Sequence, residues 1–174
     1  MVTASTGPRQ VVILRHGEKP TNPHDPNLTA QGEQRAAMLA TAIPKLFPNP
    51  DFIFAAATSN NSNRPVETIT PTAKALNLPI NDQISADGYD LLGQDLLTQP
   101  QYVGKLIIVC WHHGEIPDLG LALKIPTSEM NNAQGMKGMH WDSKVFDLFW
   151  SVTYPNGQAN LTITKQPALP LASS

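Results

Sequence analysis

Residues 105–111, KLIIVCW, place six apolar side chains in a row behind a single lysine. A run that short and that uniformly apolar fits a strand covered on both faces, because a strand with one face in water alternates apolar and polar residues. Such strands belong to the interior of parallel sheets, whose crossover connections lay helices over either face. A second run, QVVIL at 10–14, has the same character. The segments around these two runs read as the remaining elements. Thr29 is an N-cap for a helix over 30–47, AQGEQRAAMLATAIPKLF, which puts Ala36, Leu39, Ala40, Ile43 and Leu46 or Phe47 on one face. DFIFAAA, entered from the turn PNP, is another strand. Pro65 opens a second helix that runs through VETITPTAKAL to about Asn77, with an irregularity expected at Pro71. LPI is a third short strand, PDLGLALKI a short helix, and KVFDLFWSVTY, PNG and QANLTITKQ a hairpin. The expected fold is α/β and three-layered: a central, mostly parallel sheet flanked by helices, with the C-terminal hairpin adding antiparallel edge strands.

A length of 174 residues and a hydrophobic share of 41% suit one domain over 1–174, with tails at about 1–9 and 166–174 expected to be poorly ordered. Twelve basic and fourteen acidic residues, a net charge of -2, give no electrostatic footprint for nucleic acid, so any anion site must be a local cluster. No apolar run is long enough to cross a bilayer, so no membrane partner is expected. Cys110 is the only cysteine, which rules out an internal disulfide and points to a reducing compartment. The start, MVTASTGPRQ, lacks the basic and apolar regions of a signal peptide, and the expected location is cytoplasmic.

Three loops carry the chemistry. RHGE follows the first strand, SNNSNR the second, and HHGE follows KLIIVCW. In an open α/β sheet, ligands bind at the carboxyl ends of the strands, so Arg15, Arg64, His16, His112 and His113 are expected to face one pocket. Two guanidinium groups grip an oxyanion bidentately, and phosphate is the natural occupant. A neutral imidazole nitrogen attacks phosphorus when its other nitrogen donates a hydrogen bond that fixes the tautomer, and Gly17 can turn the backbone to present a carbonyl for that bond. Such chemistry needs no metal or other cofactor. His24, Asp25, His112, His113 and Glu115 match no metal-ligand spacing.

Each of these residues has a plainer reading, and their convergence on one sheet edge is what outweighs it. Lys19 and Glu18 line the mouth or pair on the surface. Thr68 and Glu67 read as helix-face residues, and Arg35 as solvated or salt-bridged. MNNAQGMKGMHWD reads as a flexible loop able to act as a lid on Gly135 and Gly138, while Trp141, Phe146, Leu148 and Trp150 read as core.

RHGEK after a first strand, Arg64 in SNNSNRPVETI and the late WHHGEIP resemble the histidine phosphatase (phosphoglycerate-mutase-like) superfamily, in the same order, over Val11 to about Ile125. LTAQGEQRAAMLA resembles that family's stretch between the first two motifs. The resemblance implies that His16 is the nucleophile that becomes phosphorylated and that Arg15 and Arg64 clamp the phosphate. It also implies a second catalytic histidine. The preferred assignment is His113, which precedes GEIP and aligns with members reading tryptophan, any residue, histidine, then isoleucine-proline; alignment on histidine-glycine-glycine gives His112 instead, which is otherwise a residue of the mouth. The general acid implied by the family falls on Asp87, with Asp90 next to it, or on Glu115. The expected activity is metal-independent hydrolysis of phosphomonoesters through phospho-His16, on a small phosphorylated substrate or a phosphorylated protein side chain. A phosphomutase of the same superfamily and a catalytically weak phospho-ligand binding protein are the alternatives.

Overall fold

Burial on both sides makes the two apolar runs neighbours. In a computed structural model that describes residues 6–170, β1 (Gln10–Arg15) pairs in parallel with β4 (Leu106–Trp111), from Gln10 opposite Leu106 to Arg15 opposite Trp111. Val11 to Leu14 and all of β4 are essentially inaccessible to solvent. Beyond β4 lie β2 (Phe52–Ala55) and β3 (Ile80–Asn81), both parallel to their neighbours. On the other side of β1, β7 (Leu148–Thr153) and β8 (Asn160–Lys165) run antiparallel and complete a six-stranded sheet of order β3-β2-β4-β1-β7-β8. The expected parallel sheet with an antiparallel C-terminal hairpin at one edge is the observed one.

Alternate residues of β1 point into two cores. Val12 and Leu14 meet α1 (Ala30–Leu46) and α2 (Arg64–Leu76) through Leu39, Ile43, Ile69 and Ala73. Val11 and Ile13 face α3 (Tyr89–Thr98) and α4 (Ile116–Ala122) through Leu92, Leu96, Ile116 and Leu119. Thr29 caps α1 as expected, its hydroxyl accepting from the Gly32 N–H at 3.1 Å. Phe47 rather than Leu46 closes that helix's apolar face: Phe47 is buried and Leu46 is 44% exposed.

Three expectations change. The stretch ADGYDLLGQ, assigned no element from the sequence, contributes the start of α3, because Leu92 and Leu96 at helical spacing bury against β4 and α4. Pro71 causes no break: α2 runs unbroken, anchored by the buried Thr68, Ile69, Thr72 and Ala73, and this burial offsets the roughly 3 kcal/mol penalty of an interior proline. The methionine-rich segment is no free loop. It forms α5 (Thr127–Met130) and a small hairpin of β5 (Met136–Lys137) and β6 (His140–Trp141), with Met130, Met136 and Trp141 buried in the α3/α4 core. Gly135 and Gly138, with φ of 82° and 60°, make its turns rather than hinges. Of the expected tails, residues 1–5 and 171–174 lie outside the described residues, whereas Gln166 is buried and hydrogen-bonded. Among the described residues no helix is long and apolar enough to cross a membrane.

Candidate active site

The parallel pairing of β1 with β4 fixes where the chemistry collects. Both strands end at the same level, and the His16 N–H donates to the Trp111 carbonyl at 3.1 Å, so His16 and His112 leave adjacent strands side by side. Their rings meet edge-on with centroids 5.1 Å apart. SNNSN makes a tight turn, in which the N–H groups of Ser59 and Ser62 each reach the other's carbonyl, and this delivers Arg64 at the first position of α2. These loops line an open cleft of ≈ 350 Å³ with His16, Lys19, Arg64, His112, His113 and Glu115 among its walls. A larger hollow of ≈ 520 Å³ between α2 and β3 holds neither histidine nor carboxylate.

His16 is almost fully buried, and its Nδ1 lies 2.7 Å from the Gly17 carbonyl. A carbonyl only accepts, so the proton sits on Nδ1 and Nε2 carries the free lone pair. Burial pushes the imidazole well below its usual titration range; the Gly17 carbonyl opposes this, and His112, Arg15 and Arg64 add to it. The ring is therefore neutral at pH 7. Thr68 fixes the same loop: its hydroxyl accepts from the Gly17 N–H at 2.8 Å and donates to the Arg64 carbonyl at 2.7 Å. It ties nucleophile loop to arginine helix.

Arg15 is wholly buried. Its guanidinium lies 3.6 Å from the centroid of the Phe146 ring, and Nη1 donates to the carbonyls of Ser143 and Val145 at 2.8 and 2.9 Å. Nε and Nη2 are buried without a hydrogen-bond partner, as is Nε of Arg64. Buried donors left unmet on two cations are costly unless a ligand takes them up. Arg64 is held by the Asp25 and Asn61 carbonyls at 3.0 and 3.3 Å. Desolvation lowers Arg15 to about 10, with Glu18 opposing and Arg64 reinforcing, so it remains a cation at pH 7.

His112 and His113 are both lowered to about 4, chiefly by burial; Arg64 is the next cause for His112 and Arg15 for His113. Of these two histidines, His112 is the one in ring contact with His16. Among the carboxylates, Glu115 lines the cleft, and its pKa is raised by burial, with Asp118 and Asp87 adding and its own backbone hydrogen bond opposing. Asp87 and Asp90 are exposed at the start of α3, where Asp87 accepts from the Ser85 hydroxyl. Glu18, expected at the mouth, turns away. It pairs with the buried Arg35 at 2.6 Å instead of meeting solvent or Lys19, because a buried guanidinium needs a counter-charge. Among the described residues no three His, Cys, Asp or Glu side chains converge as a metal centre would require.

Sequence reasoning assigned Thr68 to a helix face and Phe146 to the core, and it missed the carbonyls of Ser143 and Val145. Thr68 carried a usable signal, since it lies four positions after Arg64 and so on the same side of α2.

The architecture is the phosphoglycerate-mutase-like fold of the histidine phosphatases. The chain superposes on the protein histidine phosphatase SixA complexed with tungstate, with a TM-score of 0.61 at 16% identity, over 90% of this chain and 96% of that one. It superposes equally on a mycobacterial glucosyl-3-phosphoglycerate phosphatase (0.62, 14% identity, 92% and 100%) and on a phosphoglycerate mutase from Plasmodium falciparum (0.59, 15%, 95% and 96%). No family model and no curated protein matches the sequence.

Proposed function

We propose that this protein is a phosphatase that hydrolyses phosphomonoesters through a phosphohistidine on His16. The observation that carries the reading is one constellation: a buried imidazole with its proton committed to the Gly17 carbonyl, beside two arginines that each hold at least one buried N–H without a hydrogen-bond partner. Nε2 of His16 attacks phosphorus as the ester P–O bond breaks, and the leaving oxygen takes a proton from Glu115. Water then attacks the phosphohistidine, Glu115 takes its proton, and phosphate departs. Arg15 and Arg64 neutralise the phosphoryl oxygens throughout. We assign the second catalytic imidazole to His112 rather than His113, on its contact with the His16 ring, and place His113 and Lys19 at the mouth. Glu115 is the general acid in preference to Asp87 or Asp90, because it lines the cleft and burial favours its protonated form.

No step of this route calls for a metal. The substrate is a small phosphoester or a phosphorylated protein side chain, handled by a cytoplasmic protein folded as one domain. Phosphatase is favoured over mutase by Asp87, Asp90 and Asp118. These gather at the starts of α3 and α4, close enough to act together on Tyr89, and they repel a ligand carrying a second phosphate. His16→Ala is expected to abolish p-nitrophenyl phosphate hydrolysis and the acid-labile phosphoenzyme, and tungstate to inhibit the parent. Retained turnover in His16→Ala excludes the mechanism, and acceleration by a diphosphorylated primer establishes a mutase.

A further inference from the structure

Arg35 lies in the second turn of α1 and is only 6% exposed. Its Nε and Nη2 grip the Glu18 carboxylate at 2.6 to 3.1 Å, while Nη1 donates to Gln166 Oε1 at 3.0 Å. Gln166 is 5% exposed and is itself fixed, its Nε2 to the Leu148 carbonyl at 3.2 Å and its backbone N–H to the Asp147 carbonyl at 2.8 Å. One buried cation thus joins the loop after β1, helix α1 and the exit of β8. For stability alone such a device is a poor investment, because apolar side chains of similar volume serve as well as a buried ion pair or better.

Its position supplies another reason. The carbonyl that accepts the His16 Nδ1–H belongs to the Gly17–Glu18 peptide. The peptide before it is held by Thr68 at the Gly17 N–H, and the peptide after it by Thr29, whose N–H donates to the Glu18 carbonyl at 3.0 Å. Between these two anchors, the Glu18 side chain and the packing of α1 against it set the rotation of the middle peptide. The backbone of α1 presses against the same spot: a Cβ at Gly32 would lie 2.7 Å from the Glu18 oxygen and 3.0 Å from its nitrogen.

We infer that Arg35 is a positioning residue for His16: by clamping Glu18 it fixes the Gly17–Glu18 peptide and with it the carbonyl that keeps the His16 proton on Nδ1. Gln166 extends the clamp to the end of the sheet. The nucleophile's tautomer is thereby set by a side chain that touches neither substrate nor reacting atoms. The inference rests on the reading of His16 as the nucleophile.

The test uses the full chain labelled with ¹⁵N-histidine, as wild type, Arg35→Met, Arg35→Lys and the double variant Glu18→Gln/Arg35→Met. It reads the ring-nitrogen shifts of His16, the melting temperature, kcat on p-nitrophenyl phosphate and the inhibition constant of phosphate. Arg35→Met alone leaves Glu18 as an unpaired charge and is expected to lower Tm by about 10 °C. The double variant, with both charges gone, recovers most of that loss. Both variants nevertheless move His16 toward the Nε2–H form and lower kcat by at least about tenfold, with phosphate inhibition unchanged within about threefold. Arg35→Lys restores part of both. A double variant that regains Tm, kcat and the Nδ1–H signal together overturns the inference, as does a loss confined to phosphate affinity. A folded wild type that shows the Nδ1–H signal but hydrolyses nothing refutes the hydrolase reading alone, and the tautomer shift in the variants still decides the role of Arg35.

Discussion

Thr68→Val isolates the hydroxyl that joins the nucleophile loop to α2. Thr68 is fully buried, and valine fills its volume, so the substitution opens no cavity. It does remove the Oγ1 that accepts the Gly17 N–H at 2.8 Å and donates to the Arg64 carbonyl at 2.7 Å. A buried N–H left unmet costs about 1–3 kcal/mol, whereas the Arg64 carbonyl loses one of two acceptor sites and suffers less. For a chain of this size each kcal/mol is worth about 2–4 °C, so Tm falls by about 2–12 °C. The loop loses one of its backbone anchors, and the rate of phosphoenzyme formation, followed by rapid quench, drops at least about tenfold. Thr68→Ser is the control: it loses a methyl, at about 1 kcal/mol, but keeps the hydroxyl and is expected to react within about threefold of wild type. If Thr68→Val matches wild type in Tm and rate, or if Thr68→Ser slows as much as Thr68→Val, the hydroxyl is not what holds the loop.

Glu115→Gln is expected to lower turnover of an alkyl phosphate by about 10²–10⁴ while leaving p-nitrophenyl phosphate, whose leaving group needs no proton, within about tenfold; steady-state kinetics on the two esters decides it. Stability should fall on acidification through the window from pH 6.5 to about 4. His112 and His113 titrate near 6.5 when unfolded but near 4 when folded, so below 6.5 the unfolded chain binds more protons. Urea melts across that window check it, and a flat profile refutes the assigned burial. Gly32→Ala places a Cβ 2.7 Å from the Glu18 oxygen and is expected to destabilise by about 1–3 kcal/mol in chemical denaturation, despite alanine's better helix propensity.

The fold was legible because its inner strands are unambiguous. VVIL and LIIVCW are apolar throughout, and only two-sided burial explains that. The motif loops were placed correctly for the same reason, since a parallel strand determines where its exit lies. Less legible were features decided by contacts far along the chain. Nothing local in AQGEQRAAM reveals that Arg35 meets Glu18 and Gln166, 17 and 131 positions away. Nothing in FDLFW tells a core phenylalanine from one that stacks on Arg15, because both need the same apolar ring. The motif pattern favoured His113 over the adjacent His112, whereas the strand register brings His112 to His16: Trp111 ends β4 opposite Arg15, so the residue after it adjoins His16.

The sheet order also bears on how the protein is made. β1 is synthesised first, yet both its partners come late: β4 at Leu106–Trp111 and β7 at Leu148–Thr153. A nascent chain emerging from the ribosome as far as Leu76 already carries Arg15, His16 and Arg64. Its first two strands, however, are separated by the slot that β4 must later enter. Such delayed closure of long loops slows folding and leaves bare strand edges open to other chains during translation. The hydrogen bond from Arg15 to Ser143, spanning 128 positions, makes the clamp among the last parts of the molecule to assemble.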